Sequence, residues 1–302
     1  MKISLGPVLY YWPRELLLDF YARAAGWPVD TIYLGETVCS KRRALRTAEW
    51  IELAREISRS GKQAVLSTLS LIEAESELST LARLCDNGEL LVEANDMAAV
   101  HLLNEKHLPF AGGHALNIYN SRSLNYLQRQ GMIRWTPPVE LPRATLAAVL
   151  GEAAELGFGE RLETEVFAFG HMPLAYSARC FTARASNLQK DSCEFECLKY
   201  PDGLPVYTQD DKRLLTLNGI QSQSGQVLNL LTEWQDMQQL GVRLVRISPL
   251  SKHLETIIEH THTAIHEGRM PELTGLIDGE SCNGYWFGQA GHQWVESMGS
   301  GS

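Results

Sequence analysis

Four cysteines have the types and surroundings for metal chemistry. Cys193 and Cys197 are separated by three residues in a polar stretch, Cys180 lies thirteen positions before Cys193, and Cys39 sits far upstream in GETVCSKRR. Thiolates are soft ligands that suit iron–sulfur clusters, zinc or copper(I). Four of them are needed to hold a cubane cluster with every iron bound to protein. The spacing is not the paired C-x-x-C pattern of structural zinc. It leaves three readings open: an iron–sulfur cluster, a zinc ion, or cysteines with no common role. Cys85 is in register with Leu78 and Leu81 on an apolar helical face and reads as a small buried hydrophobe. Cys282, in SCNGYW, is a reserve ligand. The basic run Lys41, Arg42, Arg43 and Arg46 follows Cys39 directly, either as a solvated helix start or as an anion or partner site.

A second set of residues could do acid–base work. Glu93, His114, Glu140, Glu165 and His171 fall in or after β-rich runs and are the candidates for a substrate pocket. Glu36, Thr68, Asn95, Asp96, Asn117 and Tyr176 occupy similar places, where some polar side chains only cap helices. His253, His260, His262 and His266 cluster in HLETIIEHTHTAIH. No H-E-x-x-H motif accompanies them, so a solvated helix face is the plainer reading. The sequence has no G-x-S-x-G elbow and no Walker A loop.

These residues are spread over alternating elements. Strand-like runs at 3–9, 31–35, 63–68, 90–94, 109–114, 132–137, 161–169 and 242–248 alternate with helical patterns at 13–25, 44–60, 72–85, 97–106, 122–130, 143–156 and 253–267. Such alternation predicts parallel βαβ units. Eight of them, without a G-x-G-x-x-G turn after the first strand, predict an α/β fold of the (β/α)8 TIM-barrel type. About 70 residues separate the seventh and eighth strands. This cysteine-bearing insertion (184–240) begins with a polar loop at 184–213, continues as a strand at 214–221 and a helix at 227–240, and is expected to close over the cysteines. Residues 1–295 then form one domain, and 296–302, ending SMGSGS, a flexible tail.

Bulk properties narrow the function. The chain has 302 residues, 44% hydrophobic and 21% charged, an ordinary globular mix. A formal net charge of −9 argues against nucleic acid as a partner. No apolar run reaches membrane-spanning length, and the N-terminus does not read as a signal peptide, so a cytoplasmic protein with reduced thiols is expected.

The segment ETEVFAFGHMPLAYSARCFTAR (163–184) resembles the signature of the U32 peptidase family, in which a strand carrying E-V-F leads through Gly and Tyr-Ser to Cys. The matching residues are Glu165, Val166, Phe167, Gly170, Tyr176, Ser177 and Cys180. LGPVLYYWP, IYLGETVCSKRR, GKQAVLSTL, GHALNIYN, LNGIQ and CNGYW extend the resemblance over about residues 3 to 290, towards family members that serve ubiquinone biosynthesis. The resemblance implies a [4Fe–4S] cluster on Cys39, Cys180, Cys193 and Cys197. It also implies a heterodimer with a second, UbiU-like U32 protein and a role in O2-independent hydroxylation of the ubiquinone-precursor ring. RNA-hydroxylating relatives make prephenate a candidate oxygen donor. Two other readings stay open, a metal-stabilised structural or binding subunit without a redox role and a U32-type peptidase. Against the latter, spacing identifies no nucleophile–base pair.

Overall fold

Helical patterns bury one face each. In α2 (Thr47–Arg59) Trp50, Leu53, Ala54 and Ile57 are buried at i, i+3, i+4, i+7 spacing. The Glu49 carboxylate accepts from the Arg46 N–H at 2.7 Å and so satisfies one of the helix's free first-turn donors. The other helices around the barrel are α1 (Arg14–Ala24), α3 (Glu75–Cys85), α4 (Met97–Glu105), α5 (Ser121–Arg129), α6 (Arg143–Glu155) and, later in the chain, α9 (Leu254–Glu267). Asp96, one of the expected caps, accepts from the Ala98 N–H at 2.7 Å and starts α4.

The strands these helices cover are short and buried on both faces, as parallel strands are. They are β1 (Lys2–Leu5), β2 (Thr31–Leu34), β3 (Gln63–Ser67), β4 (Leu91–Ala94), β5 (Phe110–Gly112), β6 (Met132–Trp135), β7 (Glu163–Tyr176) and β11 (Leu244–Ile247). Each pairs in parallel with the next, and β11 pairs in parallel with both β1 and β7, closing an eight-stranded (β/α)8 barrel. The computed structural model describes residues 1–296; most of the expected tail lies outside them.

The insertion differs from its sequence reading. Strand β7 does not end at residue 169. Its first half pairs with β6 and β11, and its second half leaves the barrel and pairs antiparallel with β10 (Gln221–Asn229). Gly170 marks the change, with φ +121°; a Cβ there would lie 2.7 Å from the Ser248 Cβ. Between the two strands lie α7 (Phe181–Ala185), β8 (Leu204–Tyr207) and β9 (Arg213–Asn218), and β8, β9 and β10 form an antiparallel extension. The expected helix at 227–240 is largely absent. Residues to Asn229 belong to β10, and α8 covers only Trp234–Gln239. The alternation of QSQSGQVLN is satisfied by pairing with β7, which wins over helical periodicity. The short β12 (Ser281–Cys282) pairs with β10.

Candidate functional site

The four cysteines come from three places and line one small pocket, together with Lys41, Arg42, Thr182, Ala183, Phe195, Glu196 and Gly219. Cys39 is on the loop after β2, Cys180 is the residue before α7, and Cys193 and Cys197 flank a reversal in the insertion. Glu36 organises the first of these loops. Its Oε1 accepts from the N–H groups of Val38 and Cys39 at 2.9 and 3.0 Å. Cys180 Sγ accepts from the Ala183 N–H at 3.4 Å. Between Cys193 and Cys197, Glu194 and Phe195 both adopt positive φ, 49° and 53°. Two successive left-handed residues that are not glycine cost roughly 1–3 kcal/mol each, so the reversal that turns both thiols inward is held by its surroundings. Lys41 supplies part of that hold, with its Nζ donating to the Lys190 carbonyl at 2.9 Å and pairing with Asp191 at 2.6 Å. Lys190 in turn pairs with Glu73.

Arg42 is the charged wall of the cavity. Its Nη1 donates to the Leu9 carbonyl and its Nη2 to Asn218 Oδ1, both at 2.7 Å, while its buried Nε has no hydrogen-bond partner. Burial pushes the Cys39 and Cys197 thiols up, and Arg42 opposes that for both. Cys180 lies near enough to raise each of them further, and Cys193 raises Cys197. Arg43 and Arg46 are exposed and take no part in the lining. Among the described residues no three His, Cys, Asp or Glu side chains are arranged to hold a single metal ion. Cys85 and Cys282 are fully buried elsewhere. Of the helical histidines, His262 and His266 meet edge to face with ring centroids 4.3 Å apart.

The barrel interior holds a buried charge network that the sequence reading reached only in part. Arg246, on β11, pairs with Glu93 at 2.6 Å and with both oxygens of Glu165 at 3.1 Å. All three side chains are at most 3% exposed. Ser4 and Tyr33 donate to Glu165, Ser67 donates to Glu93 at 2.7 Å, and the Arg246 guanidinium lies 4.0 Å from the Tyr33 ring centroid. Burial would raise the Glu165 carboxyl, yet Arg246 and Arg134 with these donors hold it below its usual value. Arg246 was not among the expected residues. The available signal was the second of the two arginines in VRLVRIS, a charge set between Val245 and Ile247, since a doubly covered strand admits such a residue only with a partner.

Above this network a narrow pocket, with room for about one water molecule, opens at the C-terminal ends of the strands, lined by Pro7, Leu9, Thr37, Ser70, Glu93, Asn95, His114, Phe167 and Arg246 among others. Of the five pocket candidates, Glu93 and His114 meet here and Glu165 lies just beneath, bonded to Arg246. Glu140 and His171 do not join them. Glu140 accepts from the Tyr119 hydroxyl at 3.2 Å near the surface. His171 lies on the outer half of β7, its Nδ1 3.2 Å from the Gln226 carbonyl oxygen, and burial pushes it down to about 4.

The sequence model of Peptidase family U32 matches residues 21–269. The chain belongs to peptidase family U32. Among solved structures it is similar to the U32 peptidase Mk0906, with 12% identity over 83% of this chain and 94% of that one and a TM-score of 0.44. It is also similar to the dihydropteroate synthases of Thermus thermophilus (12% identity, 88% and 94% covered, TM-score 0.45) and Yersinia pestis (10%, 88% and 92%, 0.43). In this U32 chain no helix among the described residues is long and apolar enough to cross a membrane.

Proposed function

We propose that this chain is the iron–sulfur subunit of an O2-independent ring hydroxylase of ubiquinone biosynthesis, the role its sequence resemblance to UbiV implies, working as a heterodimer with a UbiU-like U32 protein. The observation that carries the reading is the meeting of Cys39, Cys180, Cys193 and Cys197 on one cavity beside a buried, incompletely bonded arginine. Four thiolates are the donor set of a cubane. When bound, such a cluster supplies one-electron steps. The protein's own part is to hold the thiolates, to keep one side dry with Leu9, Val38 and Ile220, and to place the Arg42 charge against them.

Anaerobically purified protein should be brown and contain about four iron and four sulfide per chain. Colourless, iron-free protein, prepared without air and with its partner present, would defeat the proposal. Deleting the gene should abolish ubiquinone made without oxygen and spare aerobic synthesis; unchanged anaerobic ubiquinone would refute the assigned reaction. Replacing the cluster with a redox-inert metal separates this reading from a purely structural one, because electron transfer predicts loss of the hydroxylation.

A further inference from the structure

The walls of the cysteine pocket are unequal. Cys39 sits between Val38 and Arg42, both buried, and Cys180 leads into buried Thr182 and Ala183. The third wall has no such footing. None of residues 184–203 is buried, and none joins a hydrophobic cluster. Segments with few buried apolar contacts open most readily. This one also contains the left-handed pair Glu194 and Phe195, a conformation that needs an external hold. Its tip has two such holds. The Phe195 ring meets the Tyr11 ring at 5.5 Å, and Arg42 bonds Cys197.

The base of the segment is held by two lysines, and they reach every thiol-bearing strand of chain. Lys41 lies two residues after Cys39. Its Nζ donates to the Lys190 carbonyl at 2.9 Å and to Asp191 at 2.6 Å, two residues before Cys193. Lys190 reaches the other way. Its Nζ donates to the Ala178 carbonyl at 3.2 Å, two residues before Cys180, and pairs with Glu73 on the loop between β3 and α3. Glu77, in the first turn of α3, anchors the far end. One of its oxygens accepts from the Glu73 and Ala74 N–H groups at 2.6 and 3.1 Å, and the other from the Ser40 hydroxyl beside Cys39. Ser40, Glu77, Glu73, Lys190 and Lys41 therefore close a ring of contacts on themselves. The two lysine side chains keep 34% and 23% exposure, so salt can reach the ring.

We propose that Lys41 and Lys190 are positioning residues that latch residues 184–200 over the cysteine pocket as a flap, gathering the thiol-bearing segments before any cluster is bound. Segments ordered in advance spare cluster binding that entropic cost. The flap is also the wall that gives way to let a cluster in, because the other two are fixed by buried neighbours. The idea deepens the iron–sulfur reading and rests on it only for naming what passes under the flap.

The test uses the full chain, stripped of metal by a chelator without air, and labels its thiols with N-ethylmaleimide. Mass spectrometry reads the rate at each cysteine. Asp191→Asn and Glu73→Gln release the latch from its far side and leave both lysine charges in place. Each should speed labelling of Cys193 and Cys197 roughly 1.5- to 5-fold, and the double variant by about the product. Cys85 and Cys282, buried elsewhere, should label as slowly as before, with Tm moved by less than about 2 °C. Asp191→Glu should restore the slow rate. Asp278→Asn, which frees Lys252 from a pair of 2.8 Å elsewhere, should change nothing. Raising the ionic strength from about 0.01 M to about 1 M should speed wild-type labelling and shrink its difference from the variants. In protein reconstituted with iron and sulfide, the same two variants should release iron to ferrozine faster. Labelling of Cys193 and Cys197 that ignores both variants, an equal rise at Cys85 and Cys282, or a wild type indifferent to salt each overturns the proposal. A chain that never holds iron but shows the latch in its labelling defeats the cluster reading and spares this one.

Discussion

Replacing Arg246 by methionine tests the barrel network most directly. Methionine approaches the length of the side chain but removes the charge that faces Glu93 and Glu165. Both carboxylates are at most 1% exposed, so solvent cannot take the place of the guanidinium. Breaking a buried pair in this way costs about 3–5 kcal/mol. With an unfolding entropy of about 2.1 cal/mol/K per residue, 302 residues give about 0.6 kcal/mol/K. The variant should then melt about 5–8 °C below the wild type by circular dichroism or calorimetry. The pH dependence carries a sharper signature. In the wild type Glu165 is held below its usual value, so its contribution is present above about pH 4.5 and is lost as pH falls through the depressed folded value. In the variant the Arg246 contribution is gone, desolvation is opposed only by Arg134 and the hydroxyls that donate to Glu165, and the folded value rises. The variant's folded state then binds more protons than the wild type's, so its stability gains less as pH rises from about 5 to about 7. The gap between the two proteins should therefore narrow on going from about pH 7 to about pH 5. A loss below about 1 kcal/mol, or a gap that does not depend on pH, would show that the network is not the buried ion cluster described.

Other expectations are independent of that one. Serine at any one of Cys39, Cys180, Cys193 or Cys197 should lower iron content, measured after anaerobic reconstitution, while serine at Cys85 or Cys282 should leave it unchanged. Arg42→Met removes a buried positive charge beside Cys39 and Cys197, so the cluster's midpoint potential, followed by EPR-monitored titration, should move to more negative values; an unmoved potential contradicts that placement. His171, 3% exposed and lowered to about 4, is protonated more readily in the unfolded chain, so it contributes stability above about pH 6.5 that is lost on acidification. His171→Gln should flatten the fall in urea stability between about pH 6.5 and about pH 4.5. Gly170→Ala meets both a positive φ and the Ser248 Cβ, and should cost about 1–3 kcal/mol in thermal unfolding.

The eight parallel strands were legible because each is a short apolar run between helical patterns, and periodicity reports burial directly. The extension was not. Residues 170–176 contain Gly170 and Pro173, which read as the end of a strand, whereas the glycine redirects the same strand to a new partner. Residues 221–229 carry buried Gln221, Gln223 and Ser224, whose polarity concealed their alternation. At the cysteine cavity, the thiols and the neighbouring basic run were visible, but not that Arg42 alone of the arginines in that run turns inward. That depends on Asn218 and the Leu9 carbonyl, far away in the chain. At the mouth, polar residues after strands stood out, but which of them lack partners is a property of packing.

Arg246 reaches the barrel on its last strand. A nascent or truncated chain that ends before Leu244 has already made Glu93 and Glu165 but has only Arg134, on the Glu165 side, to set against them. Seven strands without the eighth would have to leave those carboxylates wet or protonated, so a dry, ionised interior and a closed ring arrive together. The same arginine thus acts as a keystone, discouraging incomplete barrels from settling as stable products.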